Sequence, residues 1–122
     1  MGVIEKMTII LLGSDFMFNE ELGSRLRGVG YSIRTFSNKS DLENTIHEDI
    51  DLVIIDLEKT DIGGIETMQI AVQNDVPVLA LTQHRSTELA NKALKFGAKK
   101  VIFNSQAAKN IEVHVQEILS ND

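Results

Sequence analysis

A chain of 122 residues with no cysteine and a formal net charge of −6 has room for one domain with a single packed core, and its length does not call for disulfide or metal staples. Without cysteine it offers no disulfide, no thiol nucleophile and no Cys-based zinc site. Its Lys and Arg residues are scattered, aromatics make up 5% and Trp is absent, which argues against a nucleic-acid surface built of basic stripes and stacking platforms.

Met1 to Lys6 carries no apolar stretch of signal-peptide length, and no apolar run approaches the roughly 20 residues of a membrane span. The expectation is one soluble, cytoplasmic domain over residues 1–122, with its core in 7–119.

The first apolar run, Thr8 to Leu12, reads as a strand. Phe18, Leu22, Leu26 and Val29 then recur at helical spacing, and Gly30 supplies a left-handed helix stop. A second strand is predicted over Tyr31 to Phe36. It is followed by a helix carrying Leu42 and Ile46, opened by a capping box of Ser40 and Glu43. The third strand, Leu52 to Ile55, ends at Asp56, and a helix follows through Ile65, Met68 and Val72. The fourth, Val76 to Leu81, is opened by Pro77, where a residue without an N–H is tolerated. Its helix holds Leu89, Ala90, Ala93 and Leu94 and stops at Gly97. The fifth strand, Val101 to Phe103, leads into a helix with Ala108, Ile111, Val115 and Ile118.

Every predicted strand is thus followed by a helix. Such alternation implies a parallel sheet covered on both faces, because each crossover needs a helix's length. The predicted fold is a flavodoxin-like (βα)5, doubly wound parallel sheet with strand order 2-1-3-4-5. In that fold, chemistry gathers at the carboxyl ends of the strands, near the point between strands 1 and 3 where the order reverses. This rule selects Gly13, Ser14 and Asp15, then Asp56 to Lys59, Thr82 to His84, and Asn104 with Ser105.

Asp56 is the most informative of these, being a carboxylate at the mouth of a buried central strand. Such a group needs pairing or hydrogen bonds to offset its desolvation. Asp15 is open to two readings, a cation ligand or the N-cap of helix 1, where aspartate is favoured. Glu58 is likewise either a group aimed at the site or a solvated loop carboxylate. Thr82 either serves the site or is an ordinary strand-ending threonine.

Over residues from Met7 to about Leu119 the chain resembles the receiver domain of two-component response regulators, the CheY-like superfamily. Asp-Leu-Val-Ile-Ile-Asp (51–56) is similar to that family's strand 3 ending in its phosphoacceptor. Val-Pro-Val-Leu-Ala-Leu-Thr (76–82) is similar to its strand 4 with a switch Thr/Ser, and Phe-Gly-Ala-Lys-Lys (96–100) to its step into strand 5. Asp61 to Glu66 resembles a degraded Pro-x-x-Asp-Gly loop, with Thr60 at the proline and Gly63 at the aspartate.

The resemblance implies Asp56 as phosphoacceptor and Thr82 as the hydroxyl that binds the phosphoryl group. It also implies departures. The Mg²⁺-binding acidic pair falls on Gly13 and Ser14, the charge-neutralising lysine on Asn104, the following proline on Ser105, and the aromatic that couples to the switch on Val101. Phosphoryl transfer depends on positioning and on cations that offset charge, so the expected domain is an atypical receiver, or pseudo-receiver. Mg²⁺ is implied only through a substitute set of Asp15, Asp56 and Glu58. The other reading is an active aspartyl-phosphate receiver switched by a histidine kinase at Asp56.

No enzyme beyond self-catalysed phosphotransfer to Asp56 is expected. The loop Gly13-Ser14-Asp15 is too poor in Ser, Thr and Gly for an FMN phosphate nest. The three histidines, His47, His84 and His114, are far apart in the predicted fold. Expected partners are proteins: a histidine kinase, an output domain or another signalling protein, with neither nucleic acid nor membrane. The resemblance places contacts on helix 1, near Phe16, Met17 and Phe18. A second surface, which also offers a homodimer interface, is formed by helix 4, strand 5 and helix 5, with Lys92, Lys95, Phe103 and Glu112. One helix face cannot bury all of residues 16, 17 and 18.

Overall fold

Strands and helices alternate through the computed structural model, which describes residues 6–58, 63–83 and 87–120. The elements are β1 (Thr8–Leu12), α1 (Phe16–Gly28), β2 (Ser32–Phe36), α2 (Lys39–Thr45), β3 (Leu52–Asp56), α3 (Gly64–Gln73), β4 (Val78–Thr82), α4 (Thr87–Lys95), β5 (Lys100–Phe103) and α5 (Asn104–Ser120). All strand pairings are parallel, in the order β2-β1-β3-β4-β5. The predicted architecture and strand order are therefore the observed ones.

The period-two geometry of the strands sorts their aliphatic residues into two layers. Ile10 and Leu12 of β1, Val53 and Ile55 of β3, and Val78 and Ala80 of β4 share one core with Leu42 (α2), Met68 and Ala71 (α3) and Ala93 (α4). The intervening Ile9, Leu11, Leu52, Ile54, Leu79 and Leu81 pack against Leu22 and Leu26 of α1 and Ala107, Ile111, Val115 and Ile118 of α5. Strands β3 and β4 are buried along their whole length. Each such Leu, Ile or Val contributes about 1.5–3 kcal/mol relative to an exposed side chain. The edge strand β2 is half-exposed, and there Arg34 pairs with Glu48 at 3.0 Å and lies over the Phe36 ring.

Three helices end in the same way, with a left-handed residue and a 6→1 bond that satisfies a terminal carbonyl. Gly30 (φ 109°) is followed by Tyr31 N–H donating to Leu26 O at 3.1 Å, and Gly97 (φ 111°) by Ala98 N–H to Ala93 O at 2.9 Å. At α3 the left-handed position is Asp75 (φ 60°), followed by Val76 N–H to Ala71 O at 3.0 Å. The sequence marked the two glycines but not Asp75, although aspartate tolerates this conformation better than most residues.

These turns also correct the predicted boundaries. Tyr31 and Val76 belong to helix stops rather than to strands, Pro77 lies just outside β4, and β5 starts one residue earlier, at Lys100. The α2 cap is Asn38, whose Oδ1 accepts from Asp41 N–H at 2.9 Å, and not Ser40. Val29 and Leu94 are exposed, and Ala107 rather than Ala108 is the fully buried alanine of α5.

Helix α5 starts directly at Asn104, where a loop is expected, and its backbone leaves helical geometry at Asn110 (φ −156°, ψ 55°). Just before that break the Arg25 guanidinium of α1 donates to the carbonyls of Ala108 and, at 2.7 Å, Lys109. Its Nη2 also lies 3.5 Å from Glu112. Glu112 therefore faces α1 and not the surface with Lys92 and Lys95, because Arg25 supplies the counter-charge. Among the described residues no helix is long and apolar enough to cross a membrane.

Two stability measurements check this account. A Cβ at Gly97 would lie 2.8 Å from Val72 Cγ1, on a backbone already at φ +111°. Gly97→Ala is expected to cost about 1–2 kcal/mol or more, seen as a Tm lower by roughly 5 °C or more in a circular-dichroism melt. His114 has its pKa lowered, first by burial and then by the nearby Lys100 charge, against a smaller opposing effect of Glu117. Its unfolded imidazole then takes up a proton near pH 6.5, above the pH at which the folded one does. Its contribution is complete above that pH and lost as pH falls through the folded value. Urea denaturation at about pH 7.5 and 5.5 should show a smaller loss on acidification for His114→Gln than for the wild type.

Candidate functional site

The ends of β1, β3, β4 and β5 converge where the strand order reverses. Asp56 closes β3 opposite Leu81, and Thr82 closes β4 opposite Phe103. Because the two central strands are covered on both faces, these terminal side chains are buried as well, Asp56 at 3% exposure and Thr82 at 0%.

A carboxylate so placed loses hydration and must recover it from donors. Asp56 Oδ1 accepts from the Glu58 N–H at 3.1 Å, and its Oδ2 lies 3.5 Å from Asn104 Nδ2. Both groups are neutral. The Thr82 hydroxyl and Asn104 Oδ1 are buried and have no hydrogen-bond partner among the described residues. Glu58 is half-buried, and its Oε2 accepts from Gln83 N–H at 2.6 Å. It is therefore not the solvated loop carboxylate of one sequence reading.

After β1, Gly13 is buried. Its N–H donates to Phe36 O and its carbonyl accepts from Asn19 Nδ2, both at 3.0 Å. Asn19, 4% exposed, thus fixes the backbone at the position of the expected acidic pair; a lone Asn on an amphipathic helix carries no such signal in the sequence. Ser14 is exposed. Asp15 is the N-cap of α1, with Oδ1 accepting from Phe18 N–H at 3.1 Å.

Magnesium needs several hard oxygen ligands, commonly one or two carboxylates with water completing the shell. Gly13 and Ser14 supply no carboxylate, and Asp15 is turned to the first amide groups of its helix. Among the described residues no three His, Asp or Glu side chains gather as a ligand cluster. Among the described residues, Asp15, Asp56 and Glu58 do not form such a cluster.

Val101 is half-buried against the core shared by α2, α3 and α4. Ser105 is exposed in the first turn of α5, where Gln106 Oε1 accepts from Phe103 N–H at 2.8 Å. Lys59, Thr60 and His84 lie outside the described residues. On α1, Phe18 packs into the core while Phe16 and Met17 are 72% and 81% exposed. Lys92 and Lys95 are exposed on α4.

One contact at the site has only a faint sequence signal, the pair Gly63-Gly64. A Cβ on Gly64 would lie 2.5 Å from the carbonyl oxygen and 2.6 Å from the Cα of Leu57. The start of α3 therefore rests directly on the backbone that follows Asp56, which only glycine permits.

A doubly wound parallel sheet with a buried carboxylate ending its central strand defines the class as a flavodoxin-like α/β domain. Within it, the family profile of the response regulator receiver domain matches residues 9–116, and the chain belongs to that family. Over 120 residues it is 28% identical to the transcriptional regulatory protein ZraR of Escherichia coli (strain K12), covering 96% of this chain and 27% of that protein. The chain thus spans about a quarter of the length of that relative. The non-phosphorylated HemR receiver domain of Leptospira biflexa superposes with a TM-score of 0.85 at 25% identity, over 96% of this chain and 97% of that one. The receiver domain of NtrX from Brucella abortus superposes at 0.82 with 19% identity, over 93% and 99%.

Gly64→Ala tests the close approach at the site. The Leu57 backbone must move to admit the methyl group, at a cost of about 1–3 kcal/mol. The largest amide shifts in a ¹⁵N–¹H NMR spectrum should fall on Asp56, Leu57 and Glu58.

Proposed function

We propose that this receiver domain works in two-component or phosphorelay signalling chiefly through protein contacts, with Asp56 retained at the acceptor position but not serving as an efficient phosphorylation switch. The observation that carries this reading is that neutral residues stand where the family pattern implies charged partners of Asp56. Asn104 stands where a lysine is expected and reaches its carboxylate only at 3.5 Å. The two positions of the expected acidic pair are Gly13 and Ser14. Transfer of an anionic phosphoryl group to an anionic carboxylate needs cationic or metal stabilisation. No turnover chemistry is assigned, and no Mg²⁺ site.

On this reading the partners are proteins in the cytoplasm: a histidine kinase, an output domain or another signalling protein. The exposed Phe16 and Met17 offer an apolar contact on α1. The face of α4, β5 and α5, with Lys92 and Lys95, offers a second contact and a surface for a homodimer. Glu112, paired with Arg25, takes no part in it.

One observation favours the second reading, an active aspartyl-phosphate receiver switched by a histidine kinase at Asp56. The buried Thr82 hydroxyl is without a hydrogen-bond partner among the described residues, as suits a group kept to bind a phosphoryl oxygen. A single experiment separates the two. After incubation with acetyl phosphate and Mg²⁺, intact-mass spectrometry is expected to find little or no phosphoryl adduct. A stoichiometric adduct that disappears in Asp56→Ala establishes the active receiver instead.

A further inference from the structure

Glu58 joins the ends of two central strands. Its backbone N–H donates to Asp56 Oδ1 at 3.1 Å while its carboxylate accepts from the Gln83 N–H at 2.6 Å. Gln83 supplies the first backbone donor beyond Thr82, whose own hydroxyl is buried and without a hydrogen-bond partner among the described residues. A second bond between these strand ends, Leu57 N–H to Leu81 O at 3.0 Å, lies beside it.

Amide donors at the carboxyl ends of parallel strands are where this fold receives anions. Here one such donor is already taken by a carboxylate of the chain itself. A hydrogen bond to an ionised acceptor is shorter and roughly twice as strong as a neutral one, and 2.6 Å is short even for that class. The bond itself lies on the exposed side of the site, although Glu58 as a residue is half-buried.

We propose that Glu58 is a built-in anion that holds the end of β4 to the end of β3, so that the position of the backbone past Thr82 is set by this carboxylate rather than by a modification of Asp56. The inference deepens the function proposed above and rests on it, because a permanent internal anion suits a receiver scaffold that is not switched by phosphorylation. Glu58 is then a positioning residue. Its charge matters, not only its bulk.

The test is amide hydrogen exchange and ¹⁵N–¹H NMR on the whole chain, wild type against Glu58→Ala and Glu58→Gln, with no phosphodonor present. Glu58→Ala is expected to speed exchange at the Gln83 amide by about tenfold or more. The shift changes should reach Thr82, Gln83 and Asn104, while core amides such as Val53 and Leu79 keep their protection. Glu58→Gln, similar in volume but uncharged, should raise Gln83 exchange by a smaller factor, and it gives the readout if the alanine variant does not fold. Unchanged Gln83 exchange in the folded variants, with shifts confined to residues 57–59, overturns the tether. A phosphoryl adduct on the wild type, measured separately by mass, would instead remove the reading of an unswitched receiver. The two failures are therefore distinct.

Discussion

The burial of one carboxylate at the end of β3 constrains everything around it. Asp56 is 3% exposed because the strand that delivers it is covered by helices on both faces. An ionised group there without donors would be costly enough to disturb the fold. The structure answers with a backbone N–H two residues on and the amide of Asn104 across the sheet end. The first requires the chain to turn at once after Asp56. The second requires α5 to begin immediately at the end of β5. Both features serve the same carboxylate.

The turn after Asp56 depends in turn on Gly64, whose lack of a side chain lets α3 start against the Leu57 backbone. On the opposite side, Asn19 holds the Gly13 carbonyl and so fixes the end of β1. Behind these contacts, Arg25 ties α1 to the break in α5 by donating to the carbonyls of Ala108 and Lys109 and pairing with Glu112. The helix that carries the exposed Phe16 and Met17 is thus anchored to the helix that carries Asn104.

Much of this fold was legible in the residues because parallel strands covered on both faces read as continuous apolar runs, and because Gly30 and Gly97 mark helix stops that require a left-handed backbone. Asp56 and Thr82 were legible for a related reason: each polar residue directly follows such a run. The boundaries misread were those where a helix stop borrows the first residues of an apolar run, as at Tyr31 and Val76, or where Asp75 does the work of a glycine. The contacts of Glu58, Asn19 and Arg25 were not legible. Each joins a side chain to a backbone group 6 to 84 positions away, and a backbone group carries no residue-type signal.

Charge balance gives the substitutions at the site a common logic. In the pattern the family implies, two acids, the acceptor aspartate and one lysine leave an excess of negative charge that a divalent cation offsets. Losing only the lysine would leave clustered carboxylates without a counter-charge, and losing only the acids would leave a lysine with nothing but Asp56 to pair. With Gly13, Ser14 and Asn104 together, these positions add charge of neither sign; among the described residues Asp56 accepts from neutral donors and the Glu58 carboxylate accepts from Gln83. By the same balance the three substituted positions supply neither acids to hold a metal ion nor a lysine charge to stabilise a transferring phosphoryl group, so on the reading proposed here the changes that balance charge around the buried aspartate also leave it chemically quiet.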